Sequence, residues 1–344
     1  MKSTDAAAMR LATYNIEWFA NLFDAEDNLL LDGERSSRHG VDRYTQGQAI
    51  AQVLRRIDAD AVMVVEAPNT GRSQRTTRAL ERFAAEAGLR AREAVSGFPN
   101  DTQQEIALLF DPDVLDARHD ARSSADAPRF DGVFGIDLDV DAQADQVRFS
   151  KPPLELAVTT KGGPDKKGVE LRMIGAHLKS KAPHGARTKN EVTTVSIANR
   201  RKQLAQAIWL HRRVAEHAAA GEHVVVLGDL NDGPGLDEFE KLFGQSSVEI
   251  VMGSLLNDPH AQSLLRPRAT VLPSTSRFYN PETKRYFCAL LDYVMISHSL
   301  MGLQPKWRIW HPFEDAECYG DAELRQALLD ASDHFPVTLD IALA

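Results

Sequence analysis

HVVVLGDLND, residues 223–232, decides how this chain reads. Val224 to Leu227 form a short, largely β-branched apolar run, and Gly228, Asp229, Leu230 and Asn231 follow at once. Such a run predicts a strand covered on both faces. A carboxylate at the end of a buried strand must be paired, hydrogen-bonded or metal-bound. The arrangement recurs along the chain. LATYN ends in Asn15, with Glu17 two residues on; AVMVVE ends in Glu66; RMIGAH ends in His177. CALLDYVMIS carries Asp292 inside its apolar run, and SDHFPVTLDI opens with Asp333 and His334. One such residue would be an ordinary satisfied polar group. Six strands that each deliver Asp, Glu, Asn or His at a terminus point to a site.

Helical patterns lie between these strands. Ala49, Ile50, Val53, Leu54 and Ile57 share one helical face. Leu80, Phe83, Ala84 and Ala87 repeat that spacing, and Gly88 suits the C-terminal stop. A long helix is predicted from about Ser196 to Ala220, closed by Gly221. Further strands are predicted at Ile106–Phe110, Val133–Val140, Leu154–Thr159, Val169–Ala176 and Phe335–Ile341. Val248–Phe287 and Ser299–Ala331 read as loops and short helices. There is no internal repeat and no Pro/Gly/Ser linker, which predicts a single domain over 1–344.

The 344 residues are 43% apolar and 26% charged, the composition of a globular chain able to bury a large core. A net charge of −9 argues against a surface coated in positive charge. Charge is nevertheless segregated. Residues 101–146 hold 12 acids and 3 Arg, a net −9; residues 161–202 hold 11 Lys/Arg and 3 acids, a net +8, and surround His177. Cys288 and Cys318 allow no disulfide framework and read as inert thiols. Neither a signal-peptide apolar segment nor a run of 18 apolar residues occurs, so a soluble cytoplasmic protein without a membrane span is expected.

Hard oxygen donors without Cys suit Mg²⁺ or Mn²⁺, with Ca²⁺ also compatible. Two His among carboxylates suit phosphate-ester hydrolysis, where cations neutralise phosphoryl oxygens and a carboxylate orients water. P-loop, nucleophile-elbow and H-E-x-x-H motifs are absent.

YNIEWF, VVEAPN, GAHLKSK, LGDLND, LLDYVMIS and SDHFPV, in this order, resemble the motif series of the endonuclease/exonuclease/phosphatase superfamily. The resemblance spans about Leu11 to Leu343 and implies a four-layered α/β sandwich: two mixed sheets face to face, helices outside, the site at one end. It implies that Asn15, Glu66 and Asp333 belong to the metal site, with Glu17 nearby. Asp229 would orient or deprotonate water, and Asn231 would hold both that carboxylate and the phosphate. His334 would contact the scissile phosphate, with Asp292 accepting its other N–H. His177 matches the deoxyribonuclease/sphingomyelinase branch, where a second His contacts phosphate, rather than the abasic-site branch. Glu105 is a candidate to orient His177, Lys179 and Lys181 to bind a non-scissile phosphate, and Arg200 to contact substrate.

Substrate class stays open at this level. The basic segment, and the stretch Arg266, Arg268, Arg277, Phe278, Tyr279, Lys284, Arg285 and Tyr286, suit a nuclease acting on DNA or RNA. The acidic whole suits a lipid head group or another small phosphate ester. A relative that only binds partners would not need all six motifs intact. No obligate protein partner is evident.

Overall fold

The computed structural model describes residues 8–138, 145–162, 167–183, 185–233, 244–265, 272–280 and 283–343. In chain order its strands are β1 (Met9–Asn15), β2 (Ala61–Ala67), β3 (Glu93–Ser96), β4 (Glu105–Phe110), β5 (Leu115–His119), β6 (Phe134–Ile136), β7 (Asp145–Val147) and β8 (Leu154–Thr160). There follow β9 (Glu170–His177), β10 (His223–Asp229), β11 (Leu256–Asn257), β12 (Ser276–Asn280), β13 (Arg285–Ala289), β14 (Asp292–Ser297), β15 (Lys306–Ile309) and β16 (Val337–Ile341). The helices are α1 (Arg43–Ile57), α2 (Thr76–Ala87), α3 (Lys189–Ala219), α4 (Ser247–Met252), α5 (Pro259–Leu264), α6 (Ala316–Gly320) and α7 (Ala322–Ala331).

Two six-stranded sheets result, ordered β15-β16-β1-β2-β4-β3 and β11-β14-β10-β9-β8-β5. Each has a parallel pair at its centre, β1 with β2 and β9 with β10, flanked by antiparallel neighbours. The side-chain alternation of a strand then builds the layers. Leu11, Met63, Leu108, Leu156, Met173, Val225, Val294 and Leu339 form one core between the sheets. Their neighbours face outward: Ala12, Tyr14, Val62 and Val64 pack against α1, α2 and α7. On the other side, Ile174, Ala176, Val224 and Val226 pack against Trp209, Leu210 and Val214 of α3. Strands covered on both faces need apolar residues at every position, which is why AVMVV and VVVL lack alternation. The expected four-layered sandwich is the fold.

Gly228 is required by its surroundings. Its φ is +137°, and a Cβ there would lie 2.0 Å from the Ala176 carbonyl oxygen. It therefore brings β10 close to β9 immediately before Asp229.

Several boundaries differ from the sequence reading. α3 begins at Lys189 rather than near Ser196, because Thr188 and Glu191 form a capping box that extends the helix upstream. β6 ends at Ile136; residues 139 and 140 of the strand expected there lie outside the described residues. The hairpin β12–β13 occupies a stretch read as loop, and the short strands β3, β5 and β15 were not expected. β5 and β15 are largely half-exposed or exposed and give weak apolar signals. Cys318 is buried but Cys288 is exposed on β13, so only the former packs as a small apolar residue. Among the described residues no helix is long and apolar enough to cross a membrane.

Candidate active site

The parallel pairs bring their C-terminal ends to one end of the sandwich. Asp229 at the end of β10 lies directly opposite His177 on β9 and Asp292 on β14. Asn15, from the other sheet, donates its Nδ2–H to Asp229 Oδ2 at 3.0 Å. Asn231 donates its backbone N–H to Asp229 Oδ1 at 2.7 Å and its Nδ2–H to Oδ2 at 3.2 Å. Asp229 is thus held by two asparagines, one from each side of the sandwich.

Backbone strain aims the other groups. Glu66 sits at a register shift in β2 with φ 59°, and Trp18 and Asn231 have φ 52° and 51°. Left-handed backbone in such residues costs on the order of 1–3 kcal/mol each and persists only where the surroundings impose it. Here the Trp18 N–H donates to Glu66 Oε2 at 3.0 Å, and Asn231 Nδ2–H donates to the Leu178 carbonyl at 3.1 Å.

The segment carrying Asp333 and His334 precedes β16 and is pinned to β12. Arg277 N–H donates to the Asp333 carbonyl at 2.7 Å, and Phe335 N–H to the Thr275 carbonyl at 2.6 Å. His334 Nδ1 lies 2.7 Å from Asp292 Oδ2. Thr275, which sequence reading passed over, donates its hydroxyl to that same Asp292 oxygen at 2.8 Å. It also accepts the N–H groups of Leu291 and Asp292, each at 3.0 Å. It lies in a stretch without apolar periodicity, so no local signal marked it.

Asn15, Glu17, Glu66, His177, Lys179, Asp229, Asn231, Asp333 and His334 line one cavity of about 870 Å³. Burial pushes Asp229 and Asp333 up to about 7, against the pull of His334 on both. Burial also raises Glu66, opposed by the Trp18 N–H. For His334, burial works against the charged form, but Asp292, Asp229 and Asp333 together outweigh it and hold the imidazole well above its ordinary value. Burial drives His177 well below its ordinary value, aided by Lys151 and His334. The two His are therefore set in opposite states by their neighbours.

Lys151 is the second residue that sequence reading missed. Its Nζ lies 3.0 Å from His177 Nε2 and 3.2 Å from Nδ1, and it lines the cavity. It stands just before β8 in FSKPPLEL, a charge ahead of a buried strand, the signal used for Asp333 and His334. Burial lowers its pKa, while Glu66 and Asp229 oppose that.

The donor set fits a hard divalent cation. Among the described residues, Asn15 Oδ1 is buried without a hydrogen-bond partner, and so is Asp292 Oδ1. Among them too, Glu66 engages one oxygen, with the Trp18 backbone N–H.

Two expectations are corrected. Arg200 is fully buried and does not line the cavity; it binds Asp232, Gln203 and the Gln245 carbonyl, so it anchors α3 to the loop after β10. Glu105 does not orient His177. Its carboxylate accepts Asn100 Nδ2–H at 2.8 Å and the Asn100 and Thr70 N–H groups, which ties two loops together. Glu17 reaches the cavity, but its carboxylate is held by Arg38 at 2.6 Å. Lys179 lines the cavity as expected, whereas Lys181 lines it while bound to Asp232 at 2.7 Å. Arg266 and Arg268 lie outside the described residues.

Fold and site together define a phosphoric-ester hydrolase of the sandwich type, and comparison with known families agrees. The chain belongs to the Endonuclease/Exonuclease/phosphatase family, whose model matches residues 12–334. Among solved structures it is similar to truncated Caenorhabditis elegans TDP2, with TM-score 0.50 and 14% identity over 98% of this chain and 99% of that one. It is likewise similar to an endonuclease/exonuclease/phosphatase family protein from Bacteroides thetaiotaomicron, with TM-score 0.50 and 14% identity over 97% of this chain and 95% of that one. Identity this low speaks for the fold alone. A search of curated protein sequences finds no match.

Proposed function

We propose that the chain forms one catalytic domain and is a divalent-metal-dependent phosphodiester hydrolase acting on nucleic acid. The observation that carries this reading is Asp229: buried, gripped by Asn15 and Asn231, with its carboxyl pushed up to about 7. A carboxylate poised near neutrality is suited to take a proton from water. Lys151 and Lys179 on the same cavity wall supply positive charge for a phosphate backbone.

Glu66, Asn15 and Asp333 would hold Mg²⁺ or Mn²⁺, which supplies Lewis-acid neutralisation of phosphoryl charge when bound. The chain's own groups do the rest. Asp229 aligns water and accepts its proton as the water oxygen bonds to phosphorus; the P–O bond to the leaving group breaks in the same step, and the leaving oxygen takes a proton from solvent. His334, kept charged by Asp292, donates from Nε2 to a phosphoryl oxygen. Asn231 holds Asp229 in place, and Lys151 fixes the phosphate. His177, kept neutral, offers a ring nitrogen on the same side. Positioning and charge stabilisation account for the rate, and no covalent enzyme intermediate forms.

The test is hydrolysis of bis-p-nitrophenyl phosphate across a Mg²⁺ or Mn²⁺ titration, for the native protein, Glu66→Gln and His334→Ala. Glu66→Gln should shift the metal midpoint upward, and His334→Ala should lose at least about 100-fold in kcat. Metal-independent turnover, or unchanged activity in both variants, would refute the reading.

A further inference from the structure

The catalytic cavity has a wall that the hydrolytic groups leave unused. In the β12–β13 hairpin, Phe278 stands directly opposite Phe287, and Ser276 opposite Ala289. Strand alternation puts these four on one face, and Phe278, Phe287 and Ala289 line the cavity. Phe278 sets its edge against the His334 ring, with centroids 5.4 Å apart and an interplanar angle of 76°. This wall therefore starts at the proposed catalytic imidazole. Phe287 is 55% exposed, and among the described residues no ring or cation packs on it.

The hairpin's other face is different. Tyr279 stacks on His39, and Arg277 lies against both Tyr286 and Phe313. The outer rings are thus partnered within the protein, while the inner, cavity-facing Phe287 is not. Trp18 is a second open ring, 42% exposed and lining the cavity, with its backbone N–H on Glu66. Thr102, Gln104, Ser150, Lys151 and Lys179 complete a polar, cationic lining around the two rings.

Open aromatic faces beside cations and a phosphate-cleaving centre match one ligand chemistry. A single-stranded nucleic acid offers an unpaired base face next to each phosphate. Duplex bases already stack on one another and have no face to give. A sugar phosphate has no π-face. A net charge of −9 opposes docking on an anionic lipid surface.

We propose that Phe287, with Phe278 behind it and Trp18 on the same cavity, forms a base-stacking subsite that takes an unpaired nucleotide beside the scissile phosphate, so that the substrate is single-stranded or frayed nucleic acid. This rests on the phosphodiesterase reading above and names its substrate class.

The experiment measures kcat/KM with Mg²⁺ or Mn²⁺ on four substrates. They are a fluorescein-labelled oligothymidylate, the same oligomer with its bases replaced by tetrahydrofuran residues, the oligothymidylate annealed to oligoadenylate, and sphingomyelin vesicles. The native protein should prefer the single strand over both the base-free oligomer and the duplex by about tenfold or more. Phe287→Ala should collapse the preference over the base-free oligomer toward unity, and Phe287→Trp should retain it. A ratio is insensitive to partial misfolding, because misfolding scales both substrates alike. Equal rates on base-containing and base-free strands, a preference that survives in Phe287→Ala, or turnover confined to vesicles would each overturn the proposal. Hydrolysis of bis-p-nitrophenyl phosphate that is lost in His334→Ala reports the phosphodiesterase reading separately, so either can fail without the other.

Discussion

Replacing Thr275 by Val should destabilise the protein and disable His334, although Thr275 touches neither substrate nor metal site. The side chain is fully buried, and valine has nearly the same shape, so no cavity is created. What disappears is polar. The hydroxyl donates to Asp292 Oδ2 at 2.8 Å and accepts two backbone N–H groups at 3.0 Å. A hydrogen bond to an ionised carboxylate contributes about 1.5–3 kcal/mol, and each buried N–H left unpaired costs about 1–3 kcal/mol. The two N–H groups share one oxygen and their costs overlap, so the expected loss is about 3–5 kcal/mol. Thr275→Ser keeps the oxygen and deletes one methyl, about 1 kcal/mol. Urea unfolding of the two variants supplies the comparison, and kcat on bis-p-nitrophenyl phosphate, corrected for the folded fraction, supplies the second readout. Equal stability of the Val and Ser variants would show that the hydroxyl does not hold the carboxylate. A destabilised Val variant with native kcat would show that the aim of Asp292 is irrelevant to His334.

Asp292→Asn and His334→Ala should each reduce kcat, with the double variant no worse than His334→Ala alone, since Asp292 acts through the imidazole; additive losses in activation free energy would break the pair. His311 lies outside the site, and its Nδ1 accepts the N–H groups of Phe313 and Glu314, which requires a neutral ring. Burial, with Arg277 adding to it, lowers its pKa to about 4. Between pH 6.5 and that value the unfolded chain therefore binds a proton that the folded chain refuses, so stability falls with falling pH, by about 2 kcal/mol from pH 6.5 to 5. His311→Asn keeps an acceptor for both N–H groups and should flatten that slope in urea titrations; an unchanged slope would exclude His311 as its source. Arg200→Ala should cost about 1.5–3 kcal/mol in urea unfolding, since Lys181 and the Ser247 N–H still hold Asp232, while KM for a small diester stays within about twofold; a selective rise in KM would return Arg200 to the substrate site.

Much of the site was legible because strand ends are local features. An apolar run of β-branched residues announces a buried strand, and a polar residue at its end announces a demand for partners. Asn15, Glu66, His177, Asp229, Asp292 and His334 were found in that way, and the resemblance ordered them. The partners themselves were set by tertiary structure, because a hydrogen bond does not depend on sequence distance. Asn15 reaches Asp229 across 214 positions, and Thr275 reaches Asp292 across 17. Arg200 read as a candidate for substrate because it lies in the basic segment that surrounds His177. Only packing shows that Asp232, 32 positions away, takes its charge into the interior. Glu105 likewise found its donors in Asn100 and Thr70 rather than in the histidine expected for it. The β12–β13 hairpin was hidden for a related reason. Its stability comes from cross-strand pairs such as Tyr279 with Tyr286, and its strands carry no buried apolar face of their own to give a local period. Sequence alone determined which residues needed partners; the folded sandwich determined which partner each one received, because close packing, unlike periodicity, is decided by the whole chain at once.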